Sequence, residues 1–393
     1  MDNLILVSFL IILFVSISFG KEELHHPALF LSDLNYTVDE FDVTTKDGYI
    51  LRLYHVKSQD FHKNRPVVYL QHGLMSSSSD FCATSKRSLV ATLVKANFDV
   101  WMGNSRGSFF SNKHVNKSIT RSKYWKFGWH EIGIYDIPAF IDFILNYTGQ
   151  SSLHYVSHSQ GSTAFFVLTS MQPEYSNKIK SMHALAPAIF MSHVRSPLIR
   201  LLAKLVNLLT SLWKLFGFDQ KIAGDCFFTR MTQMICQAND INQRLCADIL
   251  CSLGGCSADQ KIDSAIPLIL KLDPSPASVY QIFHYAQEIN SGRFCMYDYG
   301  RRINLQKYNS VIPPDYNLTN VKVPVVLYAG QQDLLVDVRD VKKLGSKLSN
   351  LDDIVIVSKT EFGHMDFCWN SKASKLVYNL VLHNILKHEI LSK

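Results

Sequence analysis

The chain has 393 residues, 47% of them apolar and 12% aromatic, and carries a formal charge of +7. It is too apolar for a disordered chain and long enough for one large core, or a core with an insertion. The positive charge is spread out rather than gathered in a Lys/Arg run, which argues against a nucleic-acid partner.

Residues 4–19 (LILVSFLIILFVSISF) are almost unbroken apolar or small residues, closed by Ser16, Ser18 and Gly20 and followed by KEELHH. The run is too short for a comfortable membrane span of about 20 residues. It reads as a signal peptide over 1–20, although its n-region carries Asp2 and no Lys or Arg. An uncleaved anchor is the competing reading. Entry into the secretory pathway agrees with four N-x-S/T sequons, at Asn35, Asn116, Asn146 and Asn317, and with eight cysteines that could pair in an oxidising lumen.

The folded part opens as a hairpin: FDVTT and YILRLYHV flank the turn Lys46-Asp47-Gly48. Short apolar runs then alternate with helical patterns. PVVYL runs into Gln71-His72-Gly73, FDVWM into Gly103-Asn104, and LHYVS into His158-Ser159. VPVVLYA runs into Gly330, and DIVIVS toward Gly363-His364. IPAFIDFILNY and STAFFVLTSM have helical length and spacing. This alternation predicts an α/β fold with a mostly parallel sheet covered on both faces, with its site where the strands end.

Residues 190–310 break that rhythm with helical patterns and no intervening strand. Five cysteines, Cys226, Cys236, Cys246, Cys251 and Cys256, crowd there without a C-x-x-C pair or a His, so a metal site is not expected. Within it, residues 198–216 carry one narrow polar stripe: Arg200, Lys204, Asn207, Ser211 and Lys214. The rest of that helix is apolar, as in a core-packed helix or a lid at a lipid interface.

The pentapeptide Ser157-His158-Ser159-Gln160-Gly161 follows a strand and opens a helix. It matches the G-x-S-x-G elbow with Ser157 in place of the first Gly. A serine hydroxyl needs a base, and the base an orienting acid. Asp333 and His364 follow in the order Ser, Asp, His, each after a predicted strand and so on the same sheet edge as Ser159. Asp337 and Asp340 lie further on in helix-like sequence, and Asp366 is too close in the chain to His364 to orient its ring easily. The expected oxyanion donors are the backbone N–H groups of Leu74 and Gln160. His72 and His158 fall outside the order and are expected to be structural.

YLQHGLMSSS, GNSRGSFFS, YDIPAFIDFILNYTGQ, HYVSHSQGS, MHALAPA, YAGQQDLLVD and FGHMDF together resemble the acid lipases, the group containing lysosomal acid lipase and gastric lipase. The resemblance runs from about Tyr49 to the C-terminus. It implies an α/β-hydrolase core over 21–189 and 311–393 with a helical cap or lid over 190–310. It also implies hydrolysis of triacylglycerols, with cholesteryl esters a further candidate, at mildly acidic pH without metal, cofactor or colipase. By the same motifs Ser159 is nucleophile, Asp333 its acid and His364 its base. The resemblance places the family's cap disulfide at Cys236 and Cys246, leaving the pairing of the other cysteines open. The expected partner is a lipid ester at a lipid–water interface, with no nucleic acid and no obligate protein, in a secreted or lysosomal setting. The departures are Ser157, the order Trp129-His130-Glu131, and the Cys-rich cap. The competing functions are an esterase for short soluble esters, a peptidase on the same fold, and a non-catalytic lipid-binding protein.

Overall fold

A computed structural model describes residues 26–62, 64–206, 245, 248–249, 251–257, 274–358 and 360–391. The leader expected over 1–20, the half-cystines Cys236 and Cys246, and residues 207–216 of the amphipathic stretch lie outside the described residues.

The sheet holds β1 (Thr37–Thr44), β2 (Tyr49–Lys57), β3 (Val67–Gln71), β4 (Asp99–Gly103), β5 (Lys113–His114), β6 (Leu153–His158), β7 (Ile179–Leu185), β8 (Val325–Ala329) and β9 (Leu351–Ile356). Its order is β1-β2-β4-β3-β6-β7-β8-β9, with β5 on the edge of β2. β1, β2 and β4 pair antiparallel; from β4 through β3, β6, β7 and β8 to β9 every pairing is parallel. The expected hairpin is β1–β2, and all five expected apolar runs are strands.

Alternate residues of the parallel strands feed two cores. Val67, Tyr69, Tyr155, Val325 and Leu327 point to one face, and Val68, Leu70, Val156, Val326 and Tyr328 to the other. Both faces are covered, so strands that would alternate in a one-sided sheet are apolar throughout. On the second face lies α1 (Leu89–Lys95), started by Ser88 Oγ accepting from Ala91 N–H. On the first lie α2 (Ile137–Thr148), ended by Gly149 in the left-handed region, and α3 (Gln160–Met171).

β7 was not expected from the sequence, because its segment IKSMHAL interleaves polar with apolar residues. In the structure Ser181 and His183 are buried and answered: Ser181 Oγ lies 2.7 Å from His154 Nδ1 and 2.8 Å from His183 Nε2. Between β7 and β8 the described chain forms α4 (Pro197–Lys204), α5 (Val279–Ser291) and α6 (Arg301–Tyr308). α7 (Val338–Gly345) and α8 (Asn379–Leu391) complete the first and second layers. On α4, Ala203 and the following Val206 pack on Phe283 and Ala286 of α5, whereas Leu198, Leu201 and Leu205 are 43%, 47% and 39% exposed. Among the described residues no helix is long and apolar enough to cross a membrane.

Burial sets the acid response of this fold. Desolvation lowers His72 to about 4 and His284 to about 3, and holds His158 and His183 well below the usual imidazole range. His26, His130 and His154 are lowered for the same first reason. Three buried carboxyls, Asp136, Glu288 and Asp366, are raised and act in the opposite sense, in smaller number than the seven lowered histidines. A depressed imidazole contributes stability that is present above its unfolded value near 6.5 and is lost as pH falls toward its folded value. Each of the fully buried rings, His72, His158, His183 and His284, weighs about 1.4 kcal/mol per pH unit inside that window, and the half-buried His26 less. The melting temperature should therefore fall steadily from pH 7 to pH 4.5. A melting temperature that is level or rising over that range, measured by differential scanning calorimetry, contradicts this account.

Candidate active site

The parallel strands end on one edge, and the order reverses around β3: the chain passes from β3 to β4 on one side and then to β6 on the other. Loops diverge at such a point and leave a crevice. Ser159 sits there, between the end of β6 and the start of α3, with φ +51° and ψ −118°. That backbone is costly for a residue with a Cβ, of order 1–3 kcal/mol, and persists only where the surroundings impose it. They do so through close packing. Ser159 N–H donates to the Leu185 carbonyl at 2.9 Å, and its own carbonyl accepts from Ser162 N–H. A Cβ on Gly161 would lie 2.3 Å from the Gln71 carbonyl oxygen, so α3 can start there only with glycine.

Ser157 replaces the first glycine of the elbow pattern without disturbing it. Its side chain is fully buried, and its hydroxyl lies 2.8 Å from Ser162 Oγ, which satisfies both groups.

Ser159, Asp333 and His364 converge, although they are far apart in the chain. Ser159 Oγ is 2.9 Å from His364 Nε2, and His364 Nδ1 is 2.8 Å from Asp333 Oδ2. The other carboxylate oxygen, Asp333 Oδ1, accepts from Leu335 N–H (2.8 Å) and Val336 N–H (2.7 Å). Those bonds fix the carboxylate, whose second oxygen holds the proton of His364 on Nδ1 and leaves Nε2 free to accept from the serine. Asp333 and His364 are buried, while Ser159 retains 9% exposure.

The segment after β3 packs against this centre. A Cβ on Gly73 would lie 3.1 Å from Ser159 Cβ, which brings the chain entering Leu74 beside Ser159. Gln160, the other expected oxyanion donor, is the first residue of α3.

His72 and His158 are occupied elsewhere. His72 Nδ1–H donates to the Gly73 carbonyl (2.8 Å), and Nε2 accepts from Ser105 N–H (3.0 Å). His158 Nε2–H donates to the His364 carbonyl at 3.1 Å. Asp337 caps α7 through Arg339 N–H, and Asp340 accepts from His193. Asp366 points away from the His364 ring, toward Ser257, Asn370 and Gly363 N–H. Sequence reasoning missed that role, because its partner Ser257 lies 109 positions away and carries no pattern of its own. It also missed the pairing of Cys251 with Cys256, which are disulfide-bonded with Cα atoms 5.1 Å apart. All four sequon asparagines, Asn35, Asn116, Asn146 and Asn317, are exposed.

Comparison with known proteins agrees with this architecture. A family profile described as a partial alpha/beta-hydrolase lipase region matches residues 29–85, and one described as the alpha/beta hydrolase fold matches residues 66–247. Lipase 3 of Drosophila melanogaster is 38% identical over 363 residues, covering 91% of this chain and 92% of that protein. Human gastric triacylglycerol lipase is 36% identical over 357 residues, covering 89% and 88%. The chain belongs to the acid lipase family. This acid lipase is therefore a carboxylic ester hydrolase by family, and its fold recurs in more distant enzymes. A soluble variant of a Saccharomyces cerevisiae monoglyceride lipase superposes with a TM-score of 0.51 at 17% identity, over 90% of this acid lipase and 96% of that chain.

Two glycine-pattern positions in the acid lipase elbow should behave oppositely. Ser157→Gly should cost about 1 kcal/mol of stability, one buried hydrogen bond, and leave activity within a few-fold. Gly161→Ala must push the β3 loop off the nucleophile and should cut kcat/KM by roughly a hundredfold. Steady-state kinetics on a soluble aryl ester checks both. Equal effects from the two variants would show that close approach at position 161 does not shape the elbow.

Proposed function

We propose that the chain hydrolyses triacylglycerols through an acyl-enzyme on Ser159. The observation that carries this reading is the continuous Ser159–His364–Asp333 contact, at 2.9 Å and 2.8 Å, at the carboxyl edge of the sheet. Ser159 Oγ attacks the ester carbonyl carbon while His364 Nε2 takes its proton. Asp333 holds the imidazole by its Nδ1–H and stabilises the imidazolium. The oxyanion is received by the backbone N–H groups of Leu74 and Gln160. His364 then protonates the departing glyceride oxygen, leaving Ser159 acylated. In the second half a water attacks the acyl carbon, His364 takes the water's proton and returns it to Ser159, and the fatty acid leaves.

The lipid preference of this reading is supported by α4. Leu198 and Leu201 of α4 and Leu205 just after it are exposed beside Arg200 and Lys204, a surface suited to a lipid–water interface. We place this helix in a cap over residues 190–310, with hydrolase core before and after it. Ser275, in the returning part of that stretch, donates its N–H to the Met75 carbonyl and receives Phe109 N–H on its hydroxyl, so the cap would rest on the segment that supplies Leu74. Four exposed sequons and the Cys251–Cys256 disulfide support a secreted or lysosomal setting.

Ser159→Ala should fold as the wild type and lose turnover by about three orders of magnitude or more. An acyl-length series of glycerides and sterol esters with detergent, assayed from pH 4 to 8, ranks the substrates. Fastest turnover on a short soluble ester, with none on long-chain glycerides, would replace the lipase reading by an esterase.

Leu201→Asp with Leu205→Asp places two carboxylates on the exposed face of α4 without entering the core. This pair should lower activity on emulsified triacylglycerol by about tenfold and spare a soluble short-chain ester. Equal loss on both substrates by a folded variant would remove α4 from interfacial contact.

A further inference from the structure

Asp333 and His364 leave different strands, β8 and β9, on loops that the sheet no longer holds. A segment of the inserted region joins them. The Gly254 carbonyl accepts from Leu334 N–H (3.1 Å), beside Asp333, and from the N–H of His364 itself (3.3 Å). The Gly255 carbonyl accepts from Met365 N–H (3.3 Å). There is no space for a side chain at Gly255. Gly255 has φ +81°, and a Cβ on it would lie 2.2 Å from the Gln332 carbonyl oxygen. On the opposite side a Cβ on Gly363 would lie 2.3 Å from the Gly255 carbonyl carbon. Backbone is thus packed directly between the acid's loop and the base's loop.

Both ends of the segment are tied. At one end Cys251 is disulfide-bonded to Cys256, and Gly255 N–H donates to the Cys251 carbonyl at 2.8 Å. At the other, Ser257 and Asp366 are fully buried against each other. Asp366 Oδ2 accepts from Ser257 N–H (2.8 Å) and Gly363 N–H (2.7 Å), and Oδ1 accepts from Ser257 Oγ (3.0 Å). Asn370 Nδ2 donates to both Ser257 Oγ and Asp366 Oδ1 at 2.8 Å. A buried carboxylate whose oxygens are all answered fixes geometry, because any displacement leaves an unpaired acceptor away from water.

We propose that residues 251–257 are a brace that sets the contact between Asp333 and His364, with Ser257 and Asp366 as its positioning residues. The proposal rests on the reading of Ser159, Asp333 and His364 as a catalytic triad. The brace belongs to the insertion rather than to the sheet, so the insertion is part of the catalytic geometry and not only a cover over it. Loosening it lets the acid and base loops separate, which costs turnover and leaves ester binding in place.

The test uses the full chain and 4-nitrophenyl butyrate as a soluble ester. Ser257→Ala deletes one oxygen, and Asp366→Asn places an amide donor against groups that are themselves donors. Each should lower kcat by about tenfold with KM changed by less than about twofold, in protein whose far-UV circular dichroism matches the wild type. Ser257→Ala carries the test by itself if Asp366→Asn does not fold. In an Asp333→Asn background Ser257→Ala should cost almost nothing further, because the contact it positions is already lost. The proposal is overturned by wild-type kcat in folded Ser257→Ala, or by a loss that multiplies with that of Asp333→Asn. Ser159→Ala, run alongside, separates the two ideas. If it retains turnover, the triad reading fails; if it is inactive while Ser257→Ala is unimpaired, only the brace fails.

Discussion

The backbone turn at Ser159 is the constraint on which the site depends. A non-glycine residue with positive φ is unfavourable, and here it is held between β6 and α3 by close backbone approach on both sides. Gly161 lets the first turn of α3 come against the Gln71 carbonyl, and Gly73 lets the next loop lie against Ser159 Cβ. The turn carries the Ser159 hydroxyl off the sheet edge to within 2.9 Å of His364 Nε2. The buried hydrogen bond between Ser157 and Ser162 shows how the same turn accepts a serine where a glycine is usual.

The second requirement is that three loops from three strands meet within hydrogen-bond distance. The parallel sheet supplies the shared edge, since β3, β6, β8 and β9 all end on the same side. A shared edge does not by itself fix an oxygen–nitrogen distance. Asp333 is held by the N–H groups of Leu335 and Val336, which belong to its own turn. His364 has no comparable local support in its side-chain contacts. Its backbone N–H is answered instead by Gly254, from another part of the chain. The backbone of His364 is thus tied to a segment that comes from between β7 and β8.

Histidine burial gives this protein a second character. Seven imidazoles are lowered, mainly by desolvation, and two of them, His154 and His183, meet through Ser181 Oγ. Buried neutral imidazoles are the groups through which falling pH acts on this core. The balancing carboxyls, Glu288 among them, are raised because protonation suits their burial.

The sequence alone determined the strands with solid apolar cores, the hairpin at Lys46-Asp47-Gly48, the helices over 137–148 and 160–171, and Ser159, Asp333 and His364 in their order. Those signals are local: hydrophobic period, turn residues, and polar residues where an apolar run stops. The roles expected of Leu74 and Gln160 followed from the same logic. Tertiary structure alone decided that IKSMHAL is a strand, since its Ser181 and His183 interrupt the apolar run and are answered only by partners on β6 and β8. It also decided where Asp366 points, which cysteine Cys251 meets, and that Gly254 and Gly255 lie between the loops of Asp333 and His364. Each of these depends on a partner with no periodic or neighbouring signature, because hydrogen bonds and close backbone contacts between distant segments leave no spacing in the chain to be read.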